Sequence, residues 1–443
     1  MTETELLIIL IAPNVSEQMG GEGIKALKIF TELKKAQPRT LQITHERNRQ
    51  EVQERLELKD VYFVRDDWVM AGLWKTVLLR WLIDLWFQHK ALRLAKKLAM
   101  GQSLPAQNII IHQTEPNSPV LPRLVLKEQT HVFGPINGNI YWPKPFWKRE
   151  KLRAKLRRYF HFPLQRLNRW FNHGLKQADL ILVAGGDRTR NSLLAAGCLP
   201  QTMVDSVDYG IEDTFGAGIH LQHVGVNPRF VHFGRLVAHK GTQLIIRSLR
   251  KTQGNICLDI IGRGPELQRC RELVDALYLQ ERVRFLDWYD DREDLFRSFS
   301  QYRGMVLPTL EDANGIAVQE AMTLGLPPIC LDWGGPQLLI KHGQSGYLVQ
   351  PESEAQILRD LAQCMDTLSE DGELAQQMSE AAKAAAQAWK WSRVITDWQA
   401  FYRRAVATKG AGGQKTETTQ FRLSPIQPSR PQSSQQQPFP FQF

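Results

Sequence analysis

The stretch Pro308–Pro336, PTLEDANGIAVQEAMTLGLPPICLDWGGP, sets two carboxylates around a short glycine-led helix and closes on a Gly-Gly turn. Pro308 ends the apolar run Met305 to Leu307. Asn314 and Gly315 make a turn, and Ile316 to Leu324 read as a helix stopped by Gly325 and Pro327. Such a helix points its N-terminus into the crevice beyond a strand, where its free N–H groups and positive dipole end favour a phosphate or the hydroxyls of a polar ligand. Asn314, Gly315 and Ile316 are therefore candidate binding residues. Asp312 precedes the helix and Glu320 lies about one turn inside it.

Upstream, Val231–Gly241 (VHFGRLVAHKG) reads as a buried strand entering a tight basic turn, followed by a helix from Thr242 to Leu249. Arg235 offers a planar fork of donors and Lys240 a flexible point charge. Together they can neutralise a diphosphate as it becomes a leaving group. Between the two stretches lies Leu258–Glu266 (LDIIGRGPE), a strand and glycine turn that adds Gly262 to Gly234 as a candidate for close approach of a ligand.

Apolar runs at 6–11, 108–111, 180–183, 230–233, 257–261, 283–286, 305–307 and 329–331 alternate with helical patterns, which predicts parallel sheets with covering helices. A chain of 443 residues divides naturally into two such domains. Ligands of these folds bind at strand carboxyl ends. The predicted units are 1–206, 207–390, a helix within 391–407, and a Gly, Ser, Pro and Gln-rich tail, 408–443, with too little apolar content to fold.

The spacing Asp312-x7-Glu320, followed by Ala321-Met322, Gly325-Leu326-Pro327 and Gly334-Gly335, resembles the donor-site signature of the retaining glycosyltransferases of family four, the group-one glycosyltransferases. In that family the first carboxylate is usually Glu. Here Asp312 holds the position, with Glu311 one residue earlier, and Asn314 stands where Phe is usual. Gly234-Arg235-Leu236 and Lys240-Gly241 resemble the family's Gly-Arg-Leu-x-x-x-Lys-Gly motif, and Asp208–Glu212 (DYGIE) its connector into the second domain.

The same resemblance implies an α/β, GT-B architecture, two facing Rossmann-like domains with the helix of 391–407 crossing back to the first, and transfer of a hexosyl unit from a nucleotide sugar, UDP- or GDP-linked, with retention. It places Glu320 on the ribose and Asp312 on sugar hydroxyls. Gly20-Gly21-Glu22-Gly23-Ile24-Lys25 resembles the flexible Gly-Gly loop of a bacterial subgroup, and 133–138 (FGPING) a second loop of that subgroup, at the acceptor cleft, so Gly20 and Gly21 are assigned to the donor and Asn137 and Gly138 to the acceptor. Relatives carry a histidine near the reacting carbon. His112 is the candidate, although matching on Glu115-Pro116 puts Thr114 in that place. A sugar-nucleotide epimerase and a non-catalytic binding protein of the same fold are the alternatives.

No metal or other cofactor is expected, because no Asp-x-Asp pair or His/Cys cluster is present and basic side chains take that role. The five cysteines are scattered and read as reduced core residues, and the acidic start lacks the form of a signal peptide; both point to the cytoplasm. Between Lys144 and Trp170 ten Lys and Arg face one acid, Glu150, a net charge of +9 on a chain of +10. Aromatic residues interleave with them, and a second amphipathic stretch, Leu73 to Phe87, is too short and charged to span a bilayer. These features suggest reversible attachment to an anionic membrane face and a glycan or lipid-linked acceptor. No nucleic-acid motif accompanies the charge, so no nucleic-acid partner is expected.

Overall fold

The computed structural model describes residues 5–70, 81–289 and 291–411. Most of the predicted tail and residues 73–80 of the second amphipathic stretch lie outside them. The first sheet contains β1 (Leu7–Ile11), β2 (Thr40–His45), β3 (Val61–Val64), β4 (Ile109–Gln113), β5 (Thr130–Ile136), β6 (Leu180–Val183) and β7 (Met203–Asp205) in the order β3-β2-β1-β4-β5-β6-β7. The second contains β8 (Arg229–Phe233), β9 (Cys257–Ile261), β10 (Val283–Leu286), β11 (Gly304–Leu307), β12 (Pro328–Leu331) and β13 (Tyr347–Val349) in the order β10-β9-β8-β11-β12-β13. Every pairing is parallel. These are the two Rossmann-like domains expected from the sequence.

Strands covered by helices on both faces have no polar side, which is why β1, β6, β11 and β12 are unbroken apolar runs. The unannounced strands are β2, β3, β5, β7 and β13. In β2 (TLQITH) polar residues interrupt the run, and β7 and β13 have three residues each. Residues 133–136, read as part of a cleft loop, are the end of β5, and only Asn137 and Gly138 extend past it.

The final helix, Trp391–Gly410, leaves the second domain and covers the first. Its Trp391, Val394, Ile395, Trp398 and Tyr402 pack with Leu6, Ile8 and Leu10, and with Ile29, Phe30 and Leu33 of the helix Gly21–Ala36. Burying such side chains contributes roughly 1.5–3 kcal/mol each.

The chain thus crosses between domains twice, and the two crossings are joined: Ile211 N–H donates to Trp389 O at 2.8 Å, and Trp391 N–H to Ile211 O at 2.9 Å. Gly210 lies beneath the Trp391 ring, where an added Cβ would come within 2.6 Å of it. Gly210→Ala is therefore expected to lower the melting temperature through overpacking worth about 1–3 kcal/mol. An unchanged melt in differential scanning calorimetry would show that this crossing yields freely.

Candidate functional site

In the second sheet the chain runs from β8 outward through β9 and β10, then returns to the other side of β8 with β11. The carboxyl ends of β8 and β11 are thus the switch point at which open parallel sheets bind ligands. β8 runs into Gly234 and Arg235. Gly234 has φ 131° and open space where a Cβ would stand, whereas a Cβ on Gly262, at the end of β9, would lie 2.0 Å from Gly234 O. Gly262 is thus required for backbone packing, and Gly234 leaves room for a ligand. The Arg235 side chain is exposed and has no hydrogen bond or ion pair among the described residues.

Lys240 faces β11's exit. Its Nζ lies 2.5 Å from Asp312 Oδ2, while Asp312 Oδ1 accepts from the N–H groups of Gly315 at 2.8 Å and Asn314 at 3.3 Å. Asp312 therefore anchors the turn that launches the helix Ile316–Leu324. Burial pushes its carboxyl up, but Lys240 and these two N–H groups outweigh burial and hold it below the usual aspartate range. Asn314 Nδ2 is buried without a partner, and Ile316 is exposed at the helix start. Glu311 points away from this cluster: Trp142 Nε1 of the first domain donates to it at 3.1 Å and Arg157 lies 3.6 Å from it. Glu320 is buried and ion-paired with Arg292 of the helix Arg292–Arg297. Burial raises its pKa against the pull of that guanidinium.

The first sheet has its own switch point, between β1 and β4. Past β1, Gly20 and Gly21 are exposed with open space around them. Past β4 come Glu115 and Asn117. Lys25, buried on the first helix, donates to Asn117 Oδ1 at 2.6 Å and Asp208 Oδ1 at 2.8 Å.

Burial, aided by the charge of Glu22, pushes the Glu115 carboxyl up to about 8. The protonated form is thus favoured in the folded chain. That stabilisation is fully present below the ordinary value of 4.5 and is lost as pH rises toward about 8. Glu115→Gln, a neutral isostere, should gain stability relative to the parent as pH goes from about 5 to about 9. Parallel melting curves across that range would contradict it.

His112, one residue inside the carboxyl end of β4, lies in the core behind this edge. Fully buried in β4, it places Nε2 2.8 Å from Gly134 O and Nδ1 2.8 Å from the Tyr402 hydroxyl, against the edge of Trp398. Burial drives its pKa down to about 3, so it stays neutral and structural. Its strand neighbour by alternation, Ile110, faces the same helix-covered core.

The two edges face each other and touch. Asn137 Nδ2 donates to Ala313 O at 2.9 Å; Arg188 donates to Asn137 Oδ1 at 2.8 Å, to Ala313 O at 3.2 Å and to Gly138 O at 3.0 Å. Trp333 Nε1 reaches Tyr141 O at 2.7 Å, and Phe146 is buried within the second domain's core. Burial lowers Arg188 to about 10 against the attraction of Asp208 and Asp312. Lys25, Asp208, Arg188, Asp312 and Lys240 thus form a band of alternating charge across the cleft. The sequence reading brought Asp312, Lys240, Asn137 and Gly138 into it. It missed Arg188, Lys25 and Arg292, for which no local motif exists, although Lys25 lay within the quoted glycine loop.

Residues 221–385, the part of the chain that holds Arg235, Lys240, Asp312 and Glu320, match the family described as glycosyl transferases group 1. Among curated relatives, the alpha-D-kanosaminyltransferase of Streptomyces kanamyceticus is 27% identical over 47% of this chain and 55% of its own. The N-acetyl-alpha-D-glucosaminyl L-malate synthase of Bacillus anthracis is 26% identical over 39% of this chain and 44% of its own. The chain spans about half the length of the curated relatives it matches.

Solved structures resemble it over both domains. A lipopolysaccharide outer core galactosyltransferase covers 91% of this chain and 100% of its own with a TM-score of 0.62 at 16% identity. An Anabaena protein, HepE, in complex with UDP covers 90% and 100% with a TM-score of 0.57 at 15% identity. The two Rossmann-like domains together have the GT-B architecture.

Proposed function

We propose that the chain is a retaining hexosyltransferase, moving a hexosyl unit from a nucleotide-diphosphate sugar to a glycan or lipid-linked acceptor in cell-surface polysaccharide or glycolipid synthesis. The observation that carries this reading is the convergence at the β8/β11 switch point of an unpaired guanidinium (Arg235), an ammonium (Lys240) and a helix N-terminus beside the open backbone of Gly234. All three suit a single anion such as a diphosphate, and HepE, similar in fold, is in complex with UDP.

In the reaction the bond from the anomeric carbon to the diphosphate oxygen breaks, a bond from that carbon to an acceptor hydroxyl oxygen forms on the same face, and the hydroxyl proton passes to the departing diphosphate. Negative charge grows on the diphosphate and positive charge on the ring. Arg235 and Lys240 stabilise the first differentially, in place of a metal ion. As the donor enters, Lys240 exchanges Asp312 Oδ2 for phosphate oxygen. The released Oδ2 then accepts from sugar hydroxyls while Oδ1 stays on the Gly315 N–H. Glu320, adjusted by Arg292, holds the ribose.

The test is a melting-temperature screen with UDP, GDP and their hexosyl derivatives, followed by a nucleotide-release assay with the stabilising donor. A rise with one nucleotide and release of that nucleotide are expected, unchanged by EDTA. Stabilisation without release favours a binding protein, conversion to an isomeric sugar nucleotide favours an epimerase, and no stabilisation by any of them rejects the site.

A further inference from the structure

We infer that the helix Leu152–Phe171 docks this protein on an anionic lipid surface. The helix is attached to the first domain by its polar face. His161 Nε2 lies 2.9 Å from Ser192 Oγ, Gln165 donates to Ser192 Oγ at 2.7 Å and to Pro119 O at 3.0 Å, and Asn168 donates to Val120 O at 2.8 Å. Ordinarily an amphipathic helix buries its apolar stripe and shows water its polar one. Here the arrangement is inverted. Leu152, Leu156, Tyr159, Phe160, Leu167 and Trp170 recur at helical spacing on the opposite face, and all are exposed, Tyr159 to 79% and Trp170 to 75%.

Charge selects the occupant. Residues 151–171 contain no acid. Arg157 is drawn inward to Glu311 and Tyr141, and Arg158 to Glu150 and the Trp147 ring. Arg153, Arg166 and Arg169 remain exposed beside the apolar stripe. A second copy docking face to face would bring like charges together, whereas anionic headgroups complement the arginines, and aromatic rings suit the headgroup level. No helix among the described residues is long and apolar enough to cross a membrane, so the contact lies in the interface plane. Because Arg157 of this helix touches Glu311 at the cleft, docking brings the cleft close to the lipid.

The experiment is flotation of the full chain with vesicles of phosphatidylcholine alone or mixed in equal parts with phosphatidylglycerol, at low and high salt. Each arginine near an anionic surface is worth about a fivefold change in partitioning, from about 1 kcal/mol. Arg153→Gln/Arg166→Gln/Arg169→Gln should therefore bind the mixed vesicles about 100-fold more weakly. Tyr159→Ser/Trp170→Ser should also lose at least about tenfold, given the apolar area withdrawn. Both variants should keep the parent melting temperature, since none of these side chains is buried. Salt and omission of phosphatidylglycerol should each release the parent chain. Failure of the parent to float with mixed vesicles at low salt overturns the inference, as does a Tyr159→Ser/Trp170→Ser variant that floats like the parent. A dimer in solution that dissociates on those two substitutions, with no flotation, would assign the face to a second copy instead. None of these outcomes bears on nucleotide binding, which is read separately.

Discussion

Arg235→Ala should lower turnover of the nucleotide-sugar donor by about 10- to 150-fold, the loss of one charge-assisted contact worth roughly 1.5–3 kcal/mol, with no change in melting temperature. The second half of this expectation follows from structure. Arg235 is exposed and has no hydrogen bond or ion pair among the described residues, so the fold loses nothing when it is removed. Lys240→Ala should impair turnover to a similar degree but also destabilise, because it strands the buried Asp312 carboxylate with only its two backbone donors. Steady-state kinetics beside thermal melts separate the cases. Near-parental kcat/KM in both variants would remove the diphosphate assignment. A large fall in the melting temperature of Arg235→Ala would mean that the residue is structural.

The residues legible from sequence are those whose partners lie within one strand–turn–helix unit. The helix Ile316–Leu324 was bounded correctly because Gly315 and Gly325 both take left-handed backbone at its ends, and such signals are local. Lys240 and Asp312 were named from two separate motifs, and their pairing follows from β8 and β11 being sheet neighbours. Arg292 and Arg188 carry no signal of that kind. Each lies on a helix that directly follows a strand, Arg188 after β6 and Arg292 after β10, but its partners come from distant segments, and an arginine on a polar helix looks the same whether it solvates or bridges. The burial of His112 follows strand parity: Ile109 and Ile111 face one side of the sheet and Ile110 the other, toward Trp398 and Tyr402. A histidine two residues after Ile110 falls on that covered side. The basic segment was visible as charge, but its division was not, since nothing in the spacing tells that Arg157 and Arg158 turn inward while Tyr159 and Trp170 turn out.

Asp312→Asn should reduce turnover more than Glu311→Gln does, and the reason lies in the two oxygens of Asp312. Asparagine keeps an Oδ1 to accept from Gly315 and Asn314, so the helix start survives. What it loses is the negative Oδ2 that holds Lys240 and that, on the proposed function, receives sugar hydroxyls once the donor is bound. Among the described residues Glu311, with its side chain 41% exposed, is hydrogen-bonded to Trp142 and ion-paired with Arg157, both of the first domain, so its neutralisation should alter domain contact more than chemistry. Linkage gives a second readout. The Asp312 carboxyl is held below its ordinary value of 3.8, so its contribution to stability is present above that value and is lost as pH falls through the lowered folded-state pKa. Asp312→Asn should therefore be less stable than the parent at neutral pH, and the gap should narrow in acid. Activity and melting curves on the two variants decide the register of the site. If Glu311→Gln is the more damaging to turnover while Asp312→Asn still shows the acid-dependent gap, then the carboxylate facing the donor is Glu311, and the Lys240–Asp312 pair is only a brace for the turn.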